Sequence, residues 1–167
     1  NVTGTTVIAG GAFRDAANLT SLKFDESKMV YIGENAFSNK FIAANVDENG
    51  FFVVNGILIK YYGSAKQVTL PADVVVINTT AFANSGLSNL IIPVGSGLTT
   101  IKENAFKNAG KLNVTVRAES SADEIRFSAE VNAFTNWTGG IYVEYYTAPH
   151  TSGTGGMSTQ KLFADLF

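Results

Sequence analysis

The chain has 167 residues, a net charge of −2 and a hydrophobic content of 46%, enough apolar material for one ordinary domain or one compact repeat array. Its 12 Lys and Arg are scattered rather than gathered into a run, so the electrostatic footprint of a nucleic-acid binder is missing. The absence of cysteine excludes disulfides, thiolate nucleophiles and cysteine zinc sites. No stretch approaches the roughly 18 to 20 apolar residues of a membrane helix, so this segment is not expected to insert into a bilayer. The opening residues, NVTGTTVIAGGAF, lack the basic start of a signal peptide.

Self-similarity dominates the chain. The pair Ala-Phe recurs as Ala12-Phe13, Ala36-Phe37, Ala81-Phe82, Ala105-Phe106 and Ala133-Phe134, with Phe spacings of 24, 45, 24 and 28. The long interval is near two units, so a repeat between Phe37 and Phe82 has lost its pair and the array has about six coils. In the first repeat Ile8 stands five residues before the Phe, and Leu19, Leu22 and Phe24 follow it. Alternation such as Leu22, Lys23, Phe24 marks a short strand with one buried face. In the second repeat, Met29 and Ile32 precede Phe37.

The interruption is FFVVNGILIKYYG, in which Asn55-Gly56 between apolar runs predicts a two-residue type I′ hairpin at about 50–62. That hairpin projects from, or replaces, the missing coil. The array resumes with Val68, Leu70 and Pro71, which match Leu90, Ile92 and Pro93, and continues through Val74, Ile77, Leu98, Ile101, Leu112, Val114 and Val116. GGIYVEYY predicts a last strand and closes the array at 1–146. Residues 147–167 form a Gly/Ser/Thr-rich loop followed by KLFADLF, a capping segment apolar enough to dock on the open end of the stack.

Units this small bury their apolar side chains only by stacking. Phe13, Phe37, Phe82, Phe106 and Phe134 are expected to fill the interior in single file, with each Ala leaving room where the backbone bends. Two residues after each Phe comes an Asx: Asp15, Asn39, Asn84, Asn108 or Asn136. These predict a ladder of buried side chains bonding the turn backbone of coil after coil. The alternative is a surface turn residue suited to its conformation.

No catalytic set is visible. The one histidine, His150, has no serine elbow to serve, and the pairs Asp25-Glu26, Asp47-Glu48 and Asp123-Glu124 are adjacent residues whose side chains diverge. Asn45, Asp47, Asn49 and Gly50 resemble half a calcium loop, but the position of its bidentate Glu is Gly56. GTGG at 153–156 follows no strand and makes a poor phosphate cradle. Five Asn-x-Thr sequons, at Asn1, Asn18, Asn78, Asn113 and Asn136, are read as incidental, with Asn136 expected to be enclosed. No cofactor or metal is expected. Aromatics outside the repeat phrase suit a binding surface or half-buried caps: Tyr61 and Tyr62 in the hairpin, then Tyr142, Tyr145, Tyr146 and Trp137.

VVVINTTAFANSGLSNLIIP and LTTIKENAFKNAGKL resemble the BspA-like leucine-rich repeats, and FFVVNGILIKYYGSAKQVTLP is similar to the segment that often interrupts them. The likeness spans roughly residues 5 to 146. The Cys that commonly follows the Asn is Lys40, Ser85 or Ala109 here. The resemblance implies an α/β repeat solenoid, a right-handed leucine-rich-repeat superhelix rich in strand with short helical or 3₁₀ bends. It also implies a surface or secreted protein of host-associated anaerobic bacteria, with adhesion or protein-binding roles and no catalytic site. The expected function is a non-catalytic extracellular module binding a host or bacterial surface protein through its sheet face or its hairpin. A structural spacer or surface-layer element, or a carbohydrate-binding module, are the alternatives.

Overall fold

The phrase Asn-Ala-Phe-x-Asn folds as a tight bend because both of its Asn positions take the left-handed conformation. In the computed structural model Asn104 and Asn108 have φ of 56° and 55°, and Asn132 and Asn136 have 65° and 54°. Asn35 and Asn84 do the same, and Gly11 and Thr80 fill the leading positions that lack Asn. Left-handed backbone costs most L-residues about 1–2 kcal/mol, and Asn is among the few that visit it routinely. The structure describes residues 4, 6–23, 25, 28–119, 127–145 and 158–162.

Between its two Asn, each phrase presents a buried Ala and an inward ring. The amide of the plug donates to the Ala carbonyl of the next coil: Phe13 to Ala36 (2.6 Å), Phe82 to Ala105 (2.8 Å) and Phe106 to Ala133 (2.9 Å). Asn108 N–H likewise donates to Thr135 C=O, and Asn84 N–H to Lys107 C=O. Backbone therefore satisfies backbone directly, and no buried side-chain ladder is needed. This corrects the expectation for the Asx positions. Asp15, Asn39, Asn84, Asn108 and Asn136 are all exposed, and one side-chain rung joins two of them, from Asn136 Nδ2 to Asn108 Oδ1 (3.1 Å). Asn39 departs further by opening a helix capped by Ser38, whose hydroxyl accepts from Phe41 N–H.

In chain order the elements are β1 (Val7–Ile8), β2 (Tyr31–Ile32), α1 (Asn39–Asn45), β3 (Phe51–Val54), β4 (Ile57–Tyr61), β5 (Gln67–Thr69), β6 (Val76–Ile77), β7 (Asn89–Ile92), β8 (Thr100–Ile101), β9 (Asn113–Ala118), β10 (Ser128–Ala129), β11 (Ile141–Tyr145) and β12 (Ser158–Leu162). They wind a β-solenoid of about five turns. α1 is the one α-helix among the described residues, and the bends carrying Ala-Phe at 81–82, 105–106 and 133–134 are turns rather than helical segments.

Two parallel sheets run along the array. Strands β4, β6, β8 and β10, all but β4 two residues long, form one, with Leu58, Ile77, Ile101 and Ala129 in register, and β1 and β2 pair separately through Ile8 and Ile32. Longer strands β5, β7, β9 and β11 form the other, closed beyond β11 by antiparallel β12. β12 begins just upstream of KLFADLF and includes its first two residues; residues 163–167 lie outside the described residues, as do Phe24, Tyr146 and His150.

The hairpin does not project. β4 pairs in parallel with β6, and β3 closes the edge. Phe51, Leu58 and Tyr61 pack into the core of the later coils, whereas Phe52, Val54, Ile57 and Ile59 pack into that of the first two. The hairpin is thus a partition buried on both faces. Asn55 and Asn78 stitch it to the early coils, donating from Nδ2 to the carbonyls of Met29 (2.8 Å) and Ile32 (2.7 Å).

This partition breaks the single file of rings in two. Phe13 stacks on Phe37 at 5.9 Å, while a second column runs Tyr61, Phe82, Phe106 and Phe134 at 6.0, 5.1 and 4.9 Å. Tyr61 is the plug of the interrupted coil. It is 3% exposed, its amide donates to Ala81 C=O (3.0 Å), and it lies 24 residues after Phe37, the interval that also separates Phe13 from Phe37. Its expected place on a binding surface is therefore corrected: the ring is interior. Burial pushes its phenol pKa up, against a smaller pull from the Ala65 backbone, and the hydroxyl makes no well-formed hydrogen bond.

Two consequences are open to measurement. Tyr61→Ala should lower the free energy of urea unfolding by about 3–5 kcal/mol, as a buried ring does, whereas Tyr61→Phe should stay within about 1 kcal/mol of the parent. Asn108→Val should cost about 1–2 kcal/mol and Asn108→Gly almost nothing, because the position demands a left-handed backbone and not an amide.

Candidate functional site

Alternation along the long sheet sends Leu90, Ile92, Val114, Val116, Ile141 and Val143 into the core, so the residues between them form its outward face. Strand register lines these up in rows across the array. Gln67, Asn89 and Asn113 make one; Thr69, Ile91, Thr115 and Tyr142 make the next; Arg117 and Glu144 make the third. The face holds a shallow depression of about 320 Å³ lined by most of these side chains.

The polar groups hold one another in place. Asn89 Nδ2 donates to Gln67 Oε1 (3.1 Å), Thr115 Oγ1 donates to Asn89 Oδ1 (2.9 Å), and Asn113 Oδ1 accepts from Gly140 N–H (3.1 Å). Arg117 Nε pairs with Glu144 Oε2 at 2.7 Å. Such mutual bonding fixes rotamers before any ligand arrives, which lowers the entropy lost on binding. Tyr142 lies beside this network and packs its ring over Gly140, where a Cβ would come within 2.8 Å of the phenol.

The aromatics separate by environment. Tyr142 is on the outward face. Tyr145, on the same strand, has inward parity, pairs with Ala118 and is half-buried. Tyr62 is 49% exposed and lies near the free edge of β5. Trp137 caps the second ring column, 4.6 Å from Phe134, and donates from Nε1 to Leu112 C=O (2.6 Å). The structure therefore gathers Tyr61, Tyr62, Tyr142 and Tyr145, the described tyrosines singled out from sequence, into no common surface. The face residues Asn89, Asn113, Thr115, Arg117 and Glu144 escaped the sequence reading. Their signal was the period-two position between apolar strand residues, with no aromatic character to draw notice.

The half calcium loop is a turn. Asp47 Oδ1 accepts from the amides of Asn49 and Phe51 at 2.9 and 2.8 Å. No group of three or more His, Cys, Asp or Glu able to hold a metal occurs among the described residues. Asn136 is exposed rather than enclosed, and Asn78, another sequon, is buried. No helix among the described residues is long and apolar enough to cross a membrane.

A family model for the BspA type leucine rich repeat region, in six copies, matches residues 3–113 and 58–138. The chain belongs to the BspA-type leucine-rich repeat family. No curated protein and no solved structure shows a significant match. BspA-type repeats form modules that are often surface-associated and that serve as scaffolds for protein interaction rather than as enzymes. In this BspA-type array the hairpin and the plugs are interior, and the repeat-to-repeat rows lie on the outward face of the long sheet.

Charge on the opposite, short-stranded sheet is structural. Lys60 is pushed down from its ordinary pKa by burial and donates to the carbonyls of Thr80 (2.8 Å) and Ala83 (3.2 Å). Glu130 is held below the usual carboxylate range by the Lys102 ammonium (2.6 Å) and then by Glu103 N–H (3.0 Å). A depressed carboxyl pKa adds stability above the ordinary range and loses it as pH falls through the folded value. Glu130→Gln should accordingly flatten the acid limb of a stability-against-pH curve slightly, because this pair is exposed and screened.

Proposed function

We propose that the protein is a non-catalytic module of a bacterial cell surface that binds a partner protein on the outward face of β5, β7, β9 and β11. The observation that carries this reading is the row structure of that face. Side chains from successive repeats are aligned in register, locked by mutual hydrogen bonds, and joined by an aromatic ring and an Arg–Glu pair. Interfaces favour Tyr and Arg at their centres with ordered polar groups around them. Burial of Tyr61 takes one of the two hairpin tyrosines away from any surface and supports the same reading.

Its depression is shallow and open, which suits a protein surface better than a small substrate that must be shielded from water. Family membership supports the partner class and the surface location, and the geometry supports the choice of contact residues.

The reading is tested by screening the purified chain against arrays of host matrix and bacterial surface proteins, then repeating the measurement with Tyr142→Ala and Arg117→Ala. A captured partner should lose about 2 kcal/mol of affinity, roughly thirtyfold, in the Tyr142 variant, while the unfolding midpoint holds. Binding that ignores both substitutions would exclude the sheet face. Capture of oligosaccharides alone would move the protein to carbohydrate recognition, and capture of nothing would favour a spacer.

A further inference from the structure

The long sheet is finished at one end and open at the other. At the far end β12 runs antiparallel along β11, with Ile141 opposite Leu162 and Tyr145 opposite Ser158. At the near end β5 has β7 on one side, and no strand among the described residues pairs with its other side. The β7 side is served by Lys66 C=O, accepting from Asn89 N–H (3.1 Å), and by Leu70 N–H, donating to Ile91 C=O (2.8 Å). Alternate residues of a parallel strand bond to opposite sides. Gln67 and Thr69 therefore aim their backbone N–H and C=O groups outward, and both residues are exposed.

The second coil, which would have supplied the next strand, uses those residues for α1 and for the turn Val46–Gly50. An open groove of about 830 Å³ occupies the place, lined among others by Asp47, Glu48, Tyr62, Ser64, Gln67 and Thr69. Its far wall is firm. Tyr62 N–H donates to Gly50 C=O (2.7 Å), and the backbones of Gly50 and Gly63 press so closely that a Cβ on Gly50 would fall 2.6 Å from Gly63 Cα.

We propose that this groove is a second binding site, in which an extended segment of a partner protein, bearing lysine or arginine, adds to β5 as the next strand of the sheet. The main-chain groups of Gln67 and Thr69 supply the hydrogen bonds, as in other cases of strand addition. Neither Lys nor Pro occurs within Gln67–Thr69 to block an incoming strand, and the guards β5 does have are its three-residue length and Lys66 just before it. Charge selects the segment. The charged lining residues are Asp47 and Glu48, with no cation among them. The 49% exposed ring of Tyr62 offers a face to an aliphatic stem and its ammonium or guanidinium head. The site lies on the edge of the sheet, so it stands whether or not the outward face binds.

The test uses the whole chain and three blocked hexapeptides: one alternating Lys and Val, the same peptide with alternate backbone amides methylated, and one with Glu in place of Lys. Amide exchange at Gln67 and Thr69 is followed by NMR. The lysine peptide should slow exchange at both amides by about tenfold or more and bind about tenfold more tightly than the glutamate peptide, and methylation should abolish the effect. Glu48→Lys should weaken binding several-fold. Thr69→Pro, which deletes one outward N–H and no bond to β7, should weaken it about tenfold. If that variant folds poorly, the methylated peptide on the parent chain decides alone. Unchanged exchange with the lysine peptide would overturn the proposal, as would protection that survives methylation. Protection of the same amides by concentration-dependent dimerisation without peptide would assign the edge to a second copy of this chain instead.

Discussion

A single kind of backbone hydrogen bond, from the amides of Phe13, Tyr61, Phe82 and Phe106 to the Ala carbonyl of the next coil, sets the geometry from which the rest follows. It brings neighbouring coils to strand spacing, and so places successive rings about 5 to 6 Å apart with their planes nearly parallel. Only a small residue fits beside that bond, which is why Ala36, Ala81, Ala105 and Ala133 are nearly or wholly buried. Only a residue tolerant of positive φ can turn the chain into and out of it, which is why Asn brackets the pair. The recurring phrase is the chemical shorthand for one bend repeated along the array.

The hairpin shows what happens when that bend is lost. Tyr61 takes over the plug and keeps the bond to Ala81, so the later coils do not register the change. Toward the earlier coils the extra strand β3 intervenes, and the core splits into two clusters on either side of one sheet. Asn55 and Asn78 then bond carbonyls of the early coils that plug-to-Ala pairing does not reach. The second coil loses its place in the long sheet, and the free edge of β5 with its adjoining groove is the direct result.

Both surfaces suited to recognition are by-products of this construction. The rows on the outward face exist because every inward apolar residue on a strand forces its neighbours out, and parallel register aligns those neighbours coil by coil. The polar edge exists because backbone that no neighbouring strand pairs must meet water or a partner. Neither surface encloses a reacting group, in keeping with a BspA-type scaffold whose chemistry is recognition.

Periodicity made much of this legible. The five Phe plugs, the apolar strand positions and the interruption between Phe37 and Phe82 could be read directly, since stacking repeats the same burial at the same interval. Tyr61 was also within reach, 24 residues after Phe37, but its phenol suggested a surface role that burial overrules. The Asn positions were visible while their purpose was not, because the same side chain serves a buried ladder or a left-handed turn, and only backbone dihedrals tell the two apart.

By itself, then, the sequence determined the repeat and its plugs, which are local or periodic properties. Which residues share a face, whether the hairpin projects or partitions the core, and where the sheet is left open were decided by the tertiary structure alone. Those depend on register between coils some two dozen residues apart, and no local pattern in the chain encodes that register.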